Sequence, residues 1–476
     1  MRRIYFFTFL ISILTQVQAQ HITGSWSGEL EIMGNQLPLV FHISQNDTAW
    51  ITKMDSPAQH AFGLPTTKTI FSKNRVEIVA SGLGIFYQGR LHGDTITGTF
   101  NQGGIPFPLT LTRDESAQLK RPQEPVPPFE YLTENITFPN KNDKINLAAT
   151  VTLPKTAGKY PAVILIAGSG ANDRDETIFG HKPFWVIADF LTQNGFIVLR
   201  YDKRGVGESE GSFATATTKH FAEDAASAIT YLKSREDVDK SAIGLIGHSE
   251  GGIIAPMIAS ENQDVSFIVL LAGMGVKGID LILDQNETLM TEQQMEPENI
   301  VTLRKANRDI LETLTQWKNS EHDKTLLRDQ LSLMWDKMPL LTRLKSNKEQ
   351  FIRTNFNAMI APWYKNFLII NPTDYLQKVQ CPVLIVNGEK DSQVLFYKNI
   401  PAIRSALERG GNKQFTVKTY PHLNHLFQEC KTGSVDEYAE IEQTVSPQLL
   451  EDMLQWMKLT LNMETHNEAG SKSSPE

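Results

Sequence analysis

The sequence predicts an α/β domain with an eight-stranded, mostly parallel sheet covered by helices on both faces, preceded by a small all-β domain. Three observations carry this prediction. From Tyr131 onward, short apolar runs the size of buried strands take turns with amphipathic stretches, the alternation that demands right-handed crossovers and a parallel sheet. Before that point, His21–Arg113 alternates apolar and polar residues in short runs, the period of a half-buried antiparallel meander or small barrel. Between Phe267–Ala272 and Val383–Val386 the strand signal stops for more than a hundred residues rich in Leu, Met, Lys, Gln and Glu. Such a block reads as a helical insertion leaving the carboxyl end of a strand.

Residues 1–19 have the form of a secretory signal. Arg2 and Arg3 make the charged start, Ile4–Leu14 the apolar run and Val17-Gln18-Ala19 a small-residue cleavage site before Gln20. The run is too short for a stable membrane span. The mature chain is therefore expected outside the cytoplasm, in the periplasm or medium. Only Cys381 and Cys430 would meet that oxidising environment. They could pair, but one bridge would not make a disulfide scaffold of a chain this long.

In the all-β domain (20–113) the expected strands are Glu29–Met33, Leu37–Ile43, Arg75–Ala80, Ile85–Leu91, Thr95–Phe100 and Phe107–Leu111. Gly34-Asn35, His92-Gly93-Asp94 and Gly103-Gly104 supply turns. Trp26 is expected to close the bottom of the barrel rather than to serve as a binding platform. No grouping in this domain reads as chemistry. Residues 114–130 read as a linker, kept extended by Pro122, Pro125, Pro127 and Pro128.

The main domain (131–461) opens with a hairpin, Tyr131–Phe138 and Asn146–Leu153. Strands follow at Ala162–Ala167, Phe196–Tyr201, Ala242–Ile246, Phe267–Ala272, Val383–Val386 and Phe415–Tyr420, with a last helix over Ser446–Leu461. The insertion (276–375) is expected to cap the site. Met334, Trp335, Met338, Met359, Trp363 and Phe367 are its candidate pocket walls. Residues 462–476 are polar and expected to be disordered.

The chemistry centres on Ser241–Ser260. An apolar strand runs into Gly247-His248-Ser249-Glu250-Gly251 and then into an apolar helix. Strand, G-x-S-x-G, helix is the context of a nucleophile elbow, in which Ser249 is lifted above the strand ends. There the N–H of Glu250 would face a developing oxyanion. A serine so placed needs a base and an acid from later strands. Asp391, Glu389 and the more distant Asp374 compete for the acid, and His422 and His425 for the base. In that scheme the histidine takes the serine proton and returns it to the leaving group while the carboxylate orients the ring. A second oxyanion donor is expected after Ala162–Ala167, where Gly168-Ser169-Gly170 allows close approach to a substrate oxygen.

The composition is that of a soluble globular protein, 41% hydrophobic with a formal charge of −8 over 476 residues. The acidic balance argues against a nucleic-acid partner. There is no G-x-x-x-x-G-K-[ST], H-E-x-x-H or C-x-x-C, so no cofactor and no metal are expected.

Four stretches together carry a resemblance: Ala167-Gly-Ser-Gly-Ala-Asn-Asp-Arg-Asp175, Arg200-Tyr-Asp-Lys-Arg-Gly-Val-Gly-Glu-Ser209, Gly247-His-Ser-Glu-Gly-Gly252 and Leu423-Asn-His-Leu-Phe427. With them the chain from about Tyr131 to Leu461 resembles the α/β-hydrolase superfamily, and within it the secreted bacterial serine carboxylesterases. The resemblance implies an α/β-hydrolase fold, Ser249 as nucleophile, Asp391 as acid, His425 rather than His422 as base, and the N–H groups of Ser169 and Glu250 as oxyanion hole. It departs from the family at Ala167, where a histidine is usual, which leaves Ser169 and Gly170 both open as the inward-pointing donor. Asp202 and Arg204 fall in a recurrent motif that reads as scaffold. The expected function is hydrolysis of a small acyl ester through an acyl-enzyme. The alternatives are a prolyl- or aminopeptidase on the same triad, with Glu250 meeting a substrate amine, a thioesterase, or a non-catalytic protein acting through its β-domain.

Overall fold

The structure, a computed structural model, describes residues 22–32, 35–45, 49–59, 61–114, 120–344 and 347–463. The expected signal at 1–19 and residues 464–476 of the expected disordered tail lie outside the described residues. The chain divides into two compact units at the 119/120 boundary.

The first unit is a closed antiparallel barrel. Its strands are β1 (Gly24–Ile32), β2 (Asn35–Gln45), β3 (Trp50–Ser56), β4 (Ala61–Pro65), β5 (Lys68–Ser72), β6 (Arg75–Ala80), β7 (Ile85–His92), β8 (Thr95–Gln102) and β9 (Ile105–Arg113). The order β2-β1-β9-β8-β7-β6-β5-β3-β4, with a further β2–β3 pairing, closes the sheet and leaves β4 beside β3. Closure removes the open edges that a meander would otherwise expose. Trp26, Leu30, Phe41, Tyr87, Leu91 and Phe100 fill the interior. Trp26 is fully buried, its indole N–H donating to Ile22 O at 2.8 Å, so it is a core residue. The strands β3 to β5 are additions to the sequence reading. In β3 the buried side chains include Thr52, Asp55 and Ser56, so polarity there does not report burial.

The second unit carries β10 (Tyr131–Asn140), β11 (Ile145–Pro154), β12 (Tyr160–Ile166), β13 (Ile197–Tyr201), β14 (Val238–His248), β15 (Phe267–Leu271), β16 (Val383–Gly388) and β17 (Phe415–Tyr420). They order as β10-β11-β13-β12-β14-β15-β16-β17. The first two pairings, β10–β11 and β11–β13, are antiparallel and the rest are parallel. Helices α1 (Pro183–Gln193), α2 (Thr218–Ser234) and α3 (Gly251–Ala259) follow successive strands. Two apolar clusters lie on the two faces, which explains the unbroken apolar runs of the central strands.

Between β15 and β16 the insertion folds into α4 (Gly278–Glu292), α5 (Pro297–Thr315), α6 (Glu321–Lys337), α7 (Leu340–Leu344), α8 (Lys348–Met359), α9 (Pro362–Leu368) and α10 (Thr373–Leu376). It has its own small core, with Leu283, Ile310, Leu311, Leu327 and Phe356. The chain ends through α11 (Phe396–Arg409) and α12 (Pro447–Thr460). Among the described residues no helix is long and apolar enough to cross a membrane. Cys381 and Cys430 are not bonded to each other.

The Pro-rich stretch differs from a free tether from residue 120 onward. The Arg121 guanidinium donates to the carbonyls of Phe179, Gly180, Ala439 and Ile441. The Gln123 side chain accepts from Thr444 N and Val445 N and donates to Val445 O. Prolines made this segment look like linker, but two polar side chains fasten it to the second unit.

Candidate active site

Ser249 sits where β14 turns into α3, with a left-handed φ of +52°. A non-glycine residue adopts that conformation only when its surroundings enforce it. Here the Ser249 N–H donates to Leu271 O at 2.8 Å and Ser249 O accepts from Gly252 N at 2.9 Å. The two motif glycines make the turn possible sterically. A Cβ on Gly247 would stand 2.0 Å from Gly251 O, and one on Gly251 would stand 2.0 Å from Ile166 O. The helix start therefore lies directly against β12.

The peptide planes beside Ser249 fix where N–H groups point. In a trans peptide the N–H is directed opposite to the preceding carbonyl. Ser249 O is held by Gly252 N, so the N–H of Glu250 faces the other way. Gly168 O is gripped by Lys203 Nζ and by Asn172 Nδ2, which turns the Ser169 N–H away from both. The Gly168 N–H is occupied by Glu176 Oε1 at 2.6 Å. Ser169, Ser249 and Glu250 line one cavity, and Gly170 is not part of that lining. Of the two candidate donors, Ser169 and not Gly170 borders the cavity at Ser249.

His425 and Asp391, the pair that the resemblance implied, lie side by side. His425 Nδ1 lies 2.8 Å from Asp391 Oδ2, and both residues are buried. Asp391 Oδ1 accepts from the N–H groups of Gln393 and Val394, each at 2.8 Å, so the carboxylate is aimed by its own turn. The His425 loop is shaped by Asn424, whose Oδ1 accepts from Leu426 N and Gln428 N. His248, next to Ser249, lies against His425 with ring centroids 4.8 Å apart. Among the described residues, the hydrogen bonds do not include one from Ser249 Oγ to His425, a contact that unliganded active sites often hold long.

The competing candidates fall elsewhere. His422 is exposed, and its carbonyl accepts from Cys430 N. Glu389 accepts from Thr419 Oγ1, and Asp374 pairs with Asn371 near α10. Asp202 accepts from Arg174 N, Nε and Nη2 and from Glu208 N, while Arg204 binds Asp224 and Asp143. Both act as scaffold. Burial pushes the Asp202 carboxyl up, but Arg174 and the two N–H groups outweigh it and hold it below its ordinary range.

Glu250, whose side chain could be expected to pair with a nearby cation or to meet a substrate amine, has partners within the fold, a cation among them. Its Oε1 accepts from Thr218 Oγ1 and from Trp363 Nε1, each at 2.7 Å, and its Oε2 lies 3.4 Å from Lys203 Nζ. Lys203 and Glu250 are both buried, and the ammonium also sits 4.4 Å over the Phe221 ring. Lys203 thus sets a positive charge beside the Glu250 carboxylate. Lys203, Thr218, Glu176 and His248 had no assigned part in the sequence reading, and Trp363 was expected only as a pocket wall. Lys203 and His248 lay inside motifs already noted, whereas nothing local marks Glu176.

The cavity beside Ser249 holds about 30 Å³. It is walled by Met274 and Val394, by Leu281, Ile282 and Gln285 of α4, and by Trp363 and Phe367 of α9. Of the six expected walls only Trp363 and Phe367 reach it. Met359 and Met334 pack with the insertion's own core, and Trp335 stacks near Phe351. No cluster of His, Cys, Asp or Glu suited to a metal ion occurs among the described residues.

The β-domain holds a second chain of the same residue types. Ser25 Oγ lies 2.8 Å from His42 Nδ1, and His42 Nε2 lies 2.7 Å from Asp55 Oδ2. Ser25 is buried within the β1–β2 ladder opposite His42, away from any strand-to-helix turn. This arrangement satisfies buried polar groups and lacks an elbow.

The model of the family described as X-Pro dipeptidyl-peptidase (S15 family) matches residues 143–424. Esterase EstD of Thermotoga maritima is 25% identical over 365 residues, covering 75% of this chain and 77% of that protein. Among solved structures, an esterase of Pyrococcus furiosus matches with a TM-score of 0.42 and 15% identity, over 72% of this chain and 98% of its own. The α/β hydrolase GrgF of Penicillium sp. sh18 matches with a TM-score of 0.42 and 18% identity, over 70% and 99%.

Proposed function

The chain belongs to the S15 family of X-Pro dipeptidyl-peptidases, and on that premise we propose that it hydrolyses carboxylic esters through an acyl-enzyme on Ser249. The observation that carries the reading is the strained Ser249 elbow, set beside the Gly168–Ser169 peptide and the buried His425–Asp391 pair. In the first step Ser249 Oγ bonds to the substrate carbonyl carbon, its proton passes to His425, and the C=O electron pair moves onto the oxygen. The N–H groups of Ser169 and Glu250 receive that oxyanion. Collapse re-forms the carbonyl and breaks the ester bond, and the alcohol leaves with the proton from His425. Water then repeats the sequence on the acyl-enzyme, releasing acid and free Ser249. Asp391 orients the ring and stabilises its cation.

Two observations support an ester rather than a peptide as substrate. The relative EstD is an esterase. A peptidase that reads a free amino terminus needs a carboxylate to meet the ammonium, and Glu250 is already bonded to Lys203, Thr218 and Trp363. The small cavity, closed by Trp363 and Phe367, favours short acyl groups. The family description favours the peptide reading, so both substrate classes belong in the test. The residue 1–19 pattern supports export to the periplasm or medium.

An active-site phosphonate should label the protein once, at Ser249 and not at Ser25, and abolish turnover of aryl esters. Ser249→Ala should remove labelling and lower kcat by about 10³-fold or more, leaving a residue from binding and the oxyanion N–H groups. Prolyl or aminoacyl amides cleaved faster than every aryl ester would overturn the ester assignment. Label on another serine would overturn the mechanism.

A further inference from the structure

The proposed chemistry needs three segments in register: the loop after β12 with Ser169, the elbow after β14 with Ser249, and the loop after β17 with His425. One buried pair of side chains touches all three. Glu176, held at a left-handed φ of +51°, places Oε1 2.6 Å from Gly168 N and 3.0 Å from His248 Nδ1. His248 directly precedes the nucleophile, and its Nε2 lies 3.0 Å from the carbonyl oxygen of His425. Glu176 and His248 are 3% and 7% exposed, so solvent does not compete for these bonds. Glu176 Oε2 has no partner among the described residues, so Oε1 alone carries both contacts.

The partners orient the ring. His425 O accepts only, so His248 Nε2 donates, and Nδ1 faces Glu176 Oε1, which also accepts from Gly168 N. Burial opposes the charge on His248, but Glu176 outweighs it and raises the ring above its ordinary pKa.

We propose that Glu176 and His248 are positioning residues, a buried hydrogen-bonded pair that fixes the oxyanion loop, the nucleophile elbow and the base loop relative to one another. The inference rests on the Ser249–His425–Asp391 reading and adds two residues that touch no reacting atom. The His248 ring also lies against the His425 ring, with centroids 4.8 Å apart.

The test compares the full chain with its Glu176→Gln and His248→Gln variants on an aryl acetate, following kcat, KM and thermal midpoint. Misplacement of reacting groups predicts a kcat lower by roughly 10- to 100-fold with KM within about threefold in both variants. Should His248→Gln fail to fold, the equal-sized Glu176→Gln decides. A kcat within threefold of wild type, a KM raised as much as kcat is lowered, or loss of folding in both variants would overturn the inference. A wild-type chain that turns over no ester would instead sink the underlying hydrolase reading.

Discussion

Trp363 is the most informative single change, because it does two separable things. It forms one wall of the cavity at Ser249, stacked against Phe367 with ring centroids 5.1 Å apart, and its indole N–H donates to Glu250 at 2.7 Å. Trp363→Phe keeps most of the wall and removes the hydrogen bond; a bond to a charged acceptor contributes about 1.5–3 kcal/mol. Glu250 would keep Thr218 and Lys203, so the fold should survive and kcat should fall modestly. Trp363→Ala removes the wall as well. Each substrate methylene then buried contributes about 0.8 kcal/mol, roughly fourfold in kcat/KM. Two additional methylenes should move the hexanoate-to-butyrate ratio by about tenfold or more. The assay is kcat/KM for p-nitrophenyl acetate, butyrate, hexanoate and octanoate. Wild type should favour the short esters, Trp363→Phe should keep their order, and Trp363→Ala should shift preference to longer chains. A ratio changed less than twofold in a folded Trp363→Ala protein would refute the placement of the acyl pocket.

The remaining predictions concern the base, the unit boundary and the amino terminus. His425→Ala should lower kcat by about 10³-fold or more while His422→Ala costs about tenfold or less, as steady-state kinetics would show; the opposite order would transfer the base to His422. A chain beginning at Lys120 should keep ester turnover, whereas one beginning at Pro125 should have a lower thermal midpoint because the Arg121 and Gln123 bonds are gone. Equal midpoints would show that those bonds contribute nothing. Native protein should begin near Gln20 on terminal sequencing and be found outside the cytoplasm; an intact Met1 on the native protein would defeat export by this signal.

Much of the fold was legible because its central strands are buried on both faces. Val163 to Ile166, Ile243 to Ile246 and Phe267 to Leu271 are uninterrupted and almost wholly buried, so an apolar run is enough to mark them. The barrel was harder. Around Thr52 and Asp55 polar side chains face inward and find partners there, Thr69 Oγ1 donating to Thr52 and Gly63 N to Asp55. A pattern that equates polar with exposed fails at such positions. The stretch at 120–128 misled in the opposite sense. Its prolines read as a tether, while its attachment depends on single Arg and Gln side chains reaching residues about 320 positions away.

The site divides along the same line. Ser249, Asp391 and His425 could be nominated because each follows a strand of the sheet, with the resemblance choosing Asp391 over Glu389 and Asp374. Choosing His425 over His422 needed a family motif; in the structure the difference is that His425 is buried against Asp391 while His422 faces solvent. Glu250 shows why a residue's neighbours in sequence can mislead about its chemistry. Beside a nucleophile, a carboxylate invites a partner from the substrate. Three elements of the fold supply partners instead: Lys203 after β13, Thr218 at the start of α2 and Trp363 on α9. Lys203 bonds both this carboxylate and the carbonyl that orients the Ser169 N–H, so one buried ammonium bears on both proposed oxyanion donors. The helical insertion reaches the same carboxylate through Trp363. The helical insertion, α2 and the loop after β13 thus meet at Glu250, which gives this carboxylate a structural reason to be there that does not require a substrate amine.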